Sequence, residues 1–120
     1  MFLNRDLSLK GYPKTYMAGQ ITGVEGYIES TAMGLIAGIN ASRKLRGKDF
    51  VPVPENSAHG ALIKYITESN PEGFQPSNIN FGLFSSLKER VKDRKFKRRL
   101  IVERALKSWK EYLTRIKEDE

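Results

Sequence analysis

Between Lys14 and Ala18 a brief aromatic and apolar run leads straight into glycine, which predicts a strand over 14–18. Before it, Leu7 and Leu9 alternate with polar neighbours as a short edge strand would, and Gly11 and Pro13 punctuate an extended stretch. From Gly26 or Tyr27 to about Leu45 the period becomes helical. Ile28, Ala32, Leu35, Ile36 and Ile39 form an apolar girdle wider than one stripe, which predicts burial on more than one side. Small residues recur at every fourth position, Gly26, Ser30, Gly34, Gly38 and Ser42, and so share a face that a backbone, a sheet or a ligand can approach closely. Gly34 and Gly38 each cost a helix about 1 kcal/mol relative to alanine, which fits a requirement for that approach. Arg43, Lys44 and Arg46 followed by Gly47 make a helix exit, with cations facing the negative end of the dipole.

Residues 50–54 (FVPVP) must be extended, because prolines two apart forbid a helix. Ser57 caps a predicted helix AHGALIKYITE in which Leu62, Ile63 and Ile66 face a core. The loop over 70–85 is rich in Pro, Gly, Asn and aromatics, and its Phe74, Phe81, Leu83 and Phe84 are expected to pack against something. Ser86 with Glu89 has the spacing of a capping box and predicts a short helix. From about Arg94 a long terminal helix carries Phe96, Leu100, Val102, Ala105, Leu106, Trp109, Tyr112, Leu113 and Ile116 at steps of three and four. No internal repeat is present.

Composition narrows the chemistry. With 120 residues and 39% hydrophobic content, the chain has room for one modest domain or a piece of a larger one. The absence of cysteine excludes disulfides, thiolate metal sites and a cysteine nucleophile within the chain, and a single histidine excludes a multi-histidine metal site. No apolar run reaches the roughly 20 residues of a membrane span, and the N-terminus lacks a secretory pattern, so a cytoplasmic protein without a membrane partner is expected. The net charge of +7 is concentrated: residues 88–99 hold eight cations and two carboxylates. Lys88, Arg90, Lys92, Arg94, Lys95, Lys97, Arg98 and Arg99 are therefore candidate contacts to nucleic-acid phosphates, against the alternative of a solvated face.

The strongest candidate site is the turn between the predicted strand and the first helix. Gly19, Gly23 and Gly26 allow a sharp bend or close approach there, and a helix N-terminus offers free N–H groups and a positive dipole end to an electron-rich ligand. Glu25 and Glu29 form an acid–base pair or answer the helix dipole. His59 reads as a surface or capping histidine. Asn78 and Asn80 line a pocket or belong to buried loop packing, and Trp109 and Tyr112 belong to a core or stack on bases.

Two motifs together carry a family resemblance. AGQITGVEGYIES followed by GLIAGINA resembles the C-terminal cofactor motif of the folate- and FAD-dependent tRNA (uracil-5-)-methyltransferases, and FQPSNINFGL with the later RAL is similar to the same family's closing segment. The family's GxGxxG motif and catalytic cysteines are absent, so the resemblance implies a C-terminal part, inactive alone and with no catalytic residue of its own. It implies an α/β flavoprotein fragment. In it, residues 1–56 complete a Rossmann-type FAD-binding domain through a strand, a glycine turn and a buried helix. Residues 57–120 then form a helical segment with the aromatic loop 70–85 and the basic stretch 88–99. Gly19, Gln20, Ile21, Thr22, Gly23, Val24, Glu25 and Gly26 match the stretch that touches FAD. Methylenetetrahydrofolate and NAD(P)H are implied as co-substrates. The implied partners are tRNA and the N-terminal FAD-binding and catalytic portion, and the glycine-rich helix makes homo-oligomers compatible with the pattern. The related tRNA wobble-uridine carboxymethylaminomethyl-modification flavoproteins share AGQ…G…GY, but Val24, Glu25 and the Ile28–Ser30 run favour the methyltransferases. A reading of another class is a small basic helical module that binds RNA without a cofactor.

Overall fold

A computed structural model describes residues 1–118. Two short strands, β1 (Ser8–Leu9) and β2 (Tyr12–Tyr16), pair antiparallel with Ser8 opposite Tyr16 and Leu9 opposite Tyr12. The second strand starts two residues earlier than the aromatic run predicts, because pairing with β1 sets its bounds. Leu7, just before β1, adopts a left-handed backbone (φ 72°) while its side chain is fully buried. A bulky residue takes that conformation only when its surroundings impose it, and here Met17 N donates to Leu7 O at 3.0 Å.

Three helices follow: α1 (Tyr27–Leu45), α2 (Ala58–Glu68) and α3 (Arg94–Glu118). A small two-stranded sheet with three helices is compatible with an α/β fragment. The core gathers Leu3, Leu7 and Val24 with Met33 and Ile36 of α1, Leu62, Ile63 and Ile66 of α2, and Tyr112 of α3. Between α1 and α2 the extended segment buries Val51 and Val53, so its alternation points the valines inward. Asn40 Nδ2 donates to Asp6 O at 2.9 Å and Arg43 Nε to Asp49 O at 3.0 Å, tying α1 to the N-terminal arm and to its own exit.

The expected girdle of α1 is buried on one side only. Met33, Ile36, Ala37, Asn40 and Arg43 face the core, whereas Tyr27 and Ile28 are 96% and 83% exposed and Leu35 is exposed as well. The later part of the small-residue stripe, Gly34, Gly38 and Ser42, lies on the open side, and a Cβ built at Gly34 or Gly38 would meet nothing within 4 Å. Ile116 of α3 borders that face, which is otherwise an open groove along Gly34, Gly38 and Ser42.

The helix boundaries of α2 match the sequence pattern, with Ser57 Oγ accepting from Gly60 N at 3.0 Å and donating to Pro54 O at 2.7 Å. The short helix predicted at Ser86–Glu89 does not form. Arg104 reaches from α3 to take Ser85 O at 2.6 Å and Ser86 O at 3.2 Å, so these carbonyls are committed to a tertiary clamp that outweighs a local cap. Helix α3 starts where Asp93 Oδ1 accepts from Lys95 N at 2.9 Å and Phe96 N at 3.3 Å. Its buried edge runs through Ile101, Trp109, Tyr112 and Ile116. Ile101, outside the predicted stripe, is buried, while Phe96, Val102 and Leu106 face solvent.

Gly60 sits where α2 crosses the proline segment, and a Cβ there would lie 1.8 Å from Pro54 O. Replacing it forces backbone apart, not merely a flexible side chain. Gly60→Ala is expected to destabilise the chain by about 3 kcal/mol, read as a lower midpoint with unchanged slope in urea unfolding.

Candidate functional site: the glycine turn and the loop that closes on it

From β2 the chain passes through a single 3-10 turn, Gln20–Thr22, into α1. Thr22 shapes that turn by donating both its N–H (3.0 Å) and its Oγ1 hydroxyl (2.6 Å) to Gly19 O. Gly19, Gly23 and Gly26 all have positive φ, at 90°, 98° and 94°. Conformation alone would explain glycine there, but packing adds a second reason at two of the three.

The loop over 70–85 closes directly on the turn. Val24 and Ser77 form a parallel β-bridge in which Glu25 N donates to Ser77 O and Ser77 N to Gly23 O, both at 2.9 Å. A Cβ on Gly23 would lie 2.5 Å from the Phe74 ring, and one on Gly26 would lie 2.6 Å from Asn78 Nδ2 and 2.5 Å from Glu29 Oε1. The close approach that these glycines permit is therefore made by the chain's own loop.

Glu29 is the hub of the closure. Its Oε2 accepts from Asn78 Nδ2 at 2.9 Å and from Ile79 N at 3.3 Å, while Asn78 Nδ2 also donates to Glu25 O at 3.1 Å. The Asn78 amide first, then Glu29's own backbone N–H and that of Ile79, hold this carboxyl below its ordinary 4.5. The carboxylate thus sits at the N-terminus of α1 and supplies the negative charge that the helix dipole favours. Of the two readings of the Glu25–Glu29 pair, Glu29 follows the second, since it is engaged in structure and dipole compensation.

The turn residues divide by exposure. Thr22, Gly23 and Val24 are buried, whereas Gln20, Ile21, Glu25 and Gly26 form an open rim, with Ile21 67% exposed. Among the described residues the Gln20 side-chain amide has no hydrogen-bond partner, so it can donate and accept outward. Phe74, Ile79 and Leu83 pack against the core as expected of the loop, but Phe81 stays 41% exposed. Tyr65 Oη donates to Gln75 O and anchors the loop's near end to α2.

The basic candidates form a separate surface. Lys88, Arg90, Lys92, Arg94, Lys95, Lys97, Arg98 and Arg99 are all exposed, and among the described residues only Arg99 has an ion-pair partner, Glu103 at 3.4 Å. His59 is half-buried and stacks on Trp109 (centroids 4.0 Å apart, planes at 8°), which burial accompanies with a lowered pKa. The surface reading of His59 therefore gives way to a core-edge one: α3 lays Trp109 over it, a contact fifty residues distant in sequence. Trp109 and Tyr112 pack together at 5.2 Å as part of the core. Among the described residues no cluster of three or more metal-binding side chains exists, and no helix is long and apolar enough to cross a membrane. Sequence reasoning missed the Glu29–Asn78 pairing, for which no local signal exists.

Comparison with known proteins finds relatives of this chain. Residues 1–49, the strands, the glycine turn and α1, match the family described as Glucose inhibited division protein A. The chain is 50% identical over 113 residues, 94% of its length, to the methylenetetrahydrofolate–tRNA-(uracil-5-)-methyltransferase TrmFO of Natranaerobius thermophilus, and covers 26% of that relative. It is 50% identical over 107 residues to the Moorella thermoacetica protein of the same name (89% of this chain, 24% of the relative). With that of Pelotomaculum thermopropionicum it shares 54% over 96 residues (80% and 22%). Over the stretch it covers, the chain is similar to the methylenetetrahydrofolate–tRNA-(uracil-5-)-methyltransferases of these organisms. It spans about a quarter of the length of the curated relatives it matches.

The Glu29 network has a pH signature. Because the folded carboxyl titrates below its unfolded value, its contribution is present above the unfolded pKa and is lost as pH falls through the folded one. Thermal melts of the chain should therefore drop as pH falls through and below the ordinary carboxylate range. Glu29→Gln should melt lower than the parent at neutral pH and show a smaller acid drop. An acid drop of the same size in both would assign it to other carboxylates.

Proposed function

We propose that this chain is the C-terminal part of a tRNA-modifying flavoenzyme that methylates uracil C5 in tRNA. Methylenetetrahydrofolate would be the carbon donor, with FAD as cofactor and NAD(P)H as its reductant. The observation that carries the reading is the identity with proteins of that name over nearly the whole chain, both motifs included. The turn fits one wall of a flavin site. Gly19 and Gln20 bring an unpartnered amide to the rim, and exposed Ile21 supplies an apolar surface beside it. The Glu29 carboxylate already lies at the start of α1, so in this reading Gln20, more than the helix dipole, meets the flavin's polar edge. Thr22, Gly23 and Val24 act from behind as the frame of the turn, while Glu25 and Gly26 continue the rim. When bound, the flavin would supply the redox chemistry that reduces the folate-borne carbon, with the catalytic residues on the remainder of the enzyme.

In this reading residues 1–56 complete a Rossmann-type FAD domain and residues 57–120 trail beside it. The remainder docks on the open side of α1. A groove of about 460 Å³ there is lined by Gly34, Leu35, Gly38, Ile39 and Ser42 of α1 with Ile116 of α3. Three-quarters of the relatives' length lies outside the part matched by this chain, which is ample to cover it. The cations of 88–99 contact tRNA phosphates, which need charge more than fixed geometry. A cytoplasmic setting follows from a tRNA substrate. The rival of another class, an RNA-binding module without cofactor, predicts no flavin in any assembly.

Mixing this chain with a polypeptide covering the rest of the Natranaerobius relative should give a yellow complex with flavin absorbance. Gly38→Leu, at a position with open space around it, should leave the melting of the isolated chain nearly unchanged yet prevent that complex. A colourless mixture would overturn the flavoenzyme reading. By itself the chain is expected to bind FAD more weakly than about 1 μM by calorimetry, since one rim without a pyrophosphate cradle forfeits most of the contact.

A further inference from the structure

The proposed function leaves the shape of the basic surface unused. Residues 84–93 form no helix or strand, yet both ends are fixed: Arg104 clamps Ser85 and Ser86, and Asp93 caps α3. Ser85 Oγ also donates to Asn56 Oδ1 at 2.9 Å. Between these anchors lies an open recess of about 590 Å³ whose lining includes Lys88, Arg90, Lys92 and Lys97 with Glu89. Next to Lys97 on α3, Arg98 lays its guanidinium over the ring of Phe81, 5.0 Å from the centroid. Phe81 remains 41% exposed and Phe96, one turn of helix away from Arg99, is 51% exposed. Neither aromatic is covered by the core, and the guanidinium lies over the Phe81 ring.

We infer that this region is a seat for a single-stranded stretch of RNA. The recess takes backbone phosphates, and the Arg98–Phe81 pair offers a planar surface on which an unpaired base stacks. Two features favour single strand over duplex. A planar cation on an aromatic ring rewards an exposed base face, which a duplex keeps covered. The cations line a concave loop, not a long flat stripe, which suits a bending backbone. The inference rests on the tRNA-modifying reading for its choice of RNA, and it adds the strand state and the stacking residues.

The test measures binding of the 120-residue chain to two labelled RNAs by fluorescence anisotropy: a hairpin with an unpaired loop, and a blunt duplex of equal charge. Phe81→Leu keeps an apolar side chain and removes the ring, and Arg98→Lys keeps the charge and removes the plane. Each should weaken hairpin binding about tenfold and duplex binding less than about twofold. The double variant Lys92→Ala, Lys97→Ala should lower the salt dependence of hairpin binding by about 1.4 in the slope of log K against log salt. Thermal melts of each variant confirm folding. Hairpin affinities unchanged in both Phe81→Leu and Arg98→Lys, or equal losses on both RNAs, overturn the inference. Neither result touches the flavin complex, whose failure would instead sink the functional reading.

Discussion

The contact on which the rest of this structure depends is the closure of the 70–85 loop over the glycine turn. One parallel bridge, Val24 with Ser77, joins segments fifty residues apart, and each neighbouring interaction follows from it. Once Ser77 is in register, Phe74 falls on Gly23 and Asn78 on Gly26, so both positions must lack a side chain. Val24 is pressed into the core and Glu29 is drawn over the start of α1, where amide donors and the helix dipole both favour its charge. The turn is thereby braced by the chain's own loop, which suits the cofactor wall of the proposed function.

The same closure divides the turn's chemistry. Residues facing inward, Thr22 to Val24, are spent on geometry, and the outward rim is left with an unpartnered amide at Gln20 and an apolar surface at Ile21. The helix N-terminus, the obvious place for an electron-rich group, already has one in Glu29. A carboxylate in that seat would repel an anionic ring edge brought close to it. The functional reading therefore moves weight from the helix dipole to the side chains of the rim. On the far side of α1, Gly34, Gly38 and Ser42 face an open groove, and under the proposed function their spacing serves a partner surface.

Much of the local structure was legible. Ser57 followed by an amphipathic run marked α2 to the residue, and the Arg43–Gly47 exit marked the end of α1. The apolar spacing placed the start of α3 near Arg94. These features are encoded within a turn or two of the residues that display them, through caps, dipole and period. Where local rules met distant ones, the distant ones prevailed. The Ser86–Glu89 cap lost to the Arg104 clamp, His59 was taken under Trp109, and Ile101 in place of Leu106 turned inward.

The sequence by itself determined the helices, the positive-φ glycines, the concentration of cations over 88–99 and the resemblance that points to flavin and tRNA. Only the tertiary structure decided what the glycines accommodate, which side of α1 is open, and which of the eight turn residues are exposed. The reason is range. Caps, periods and charge runs act through neighbours in the chain, while the partners of Gly23, Gly26 and Glu29 lie about fifty residues downstream and leave no mark on the stretch they complete.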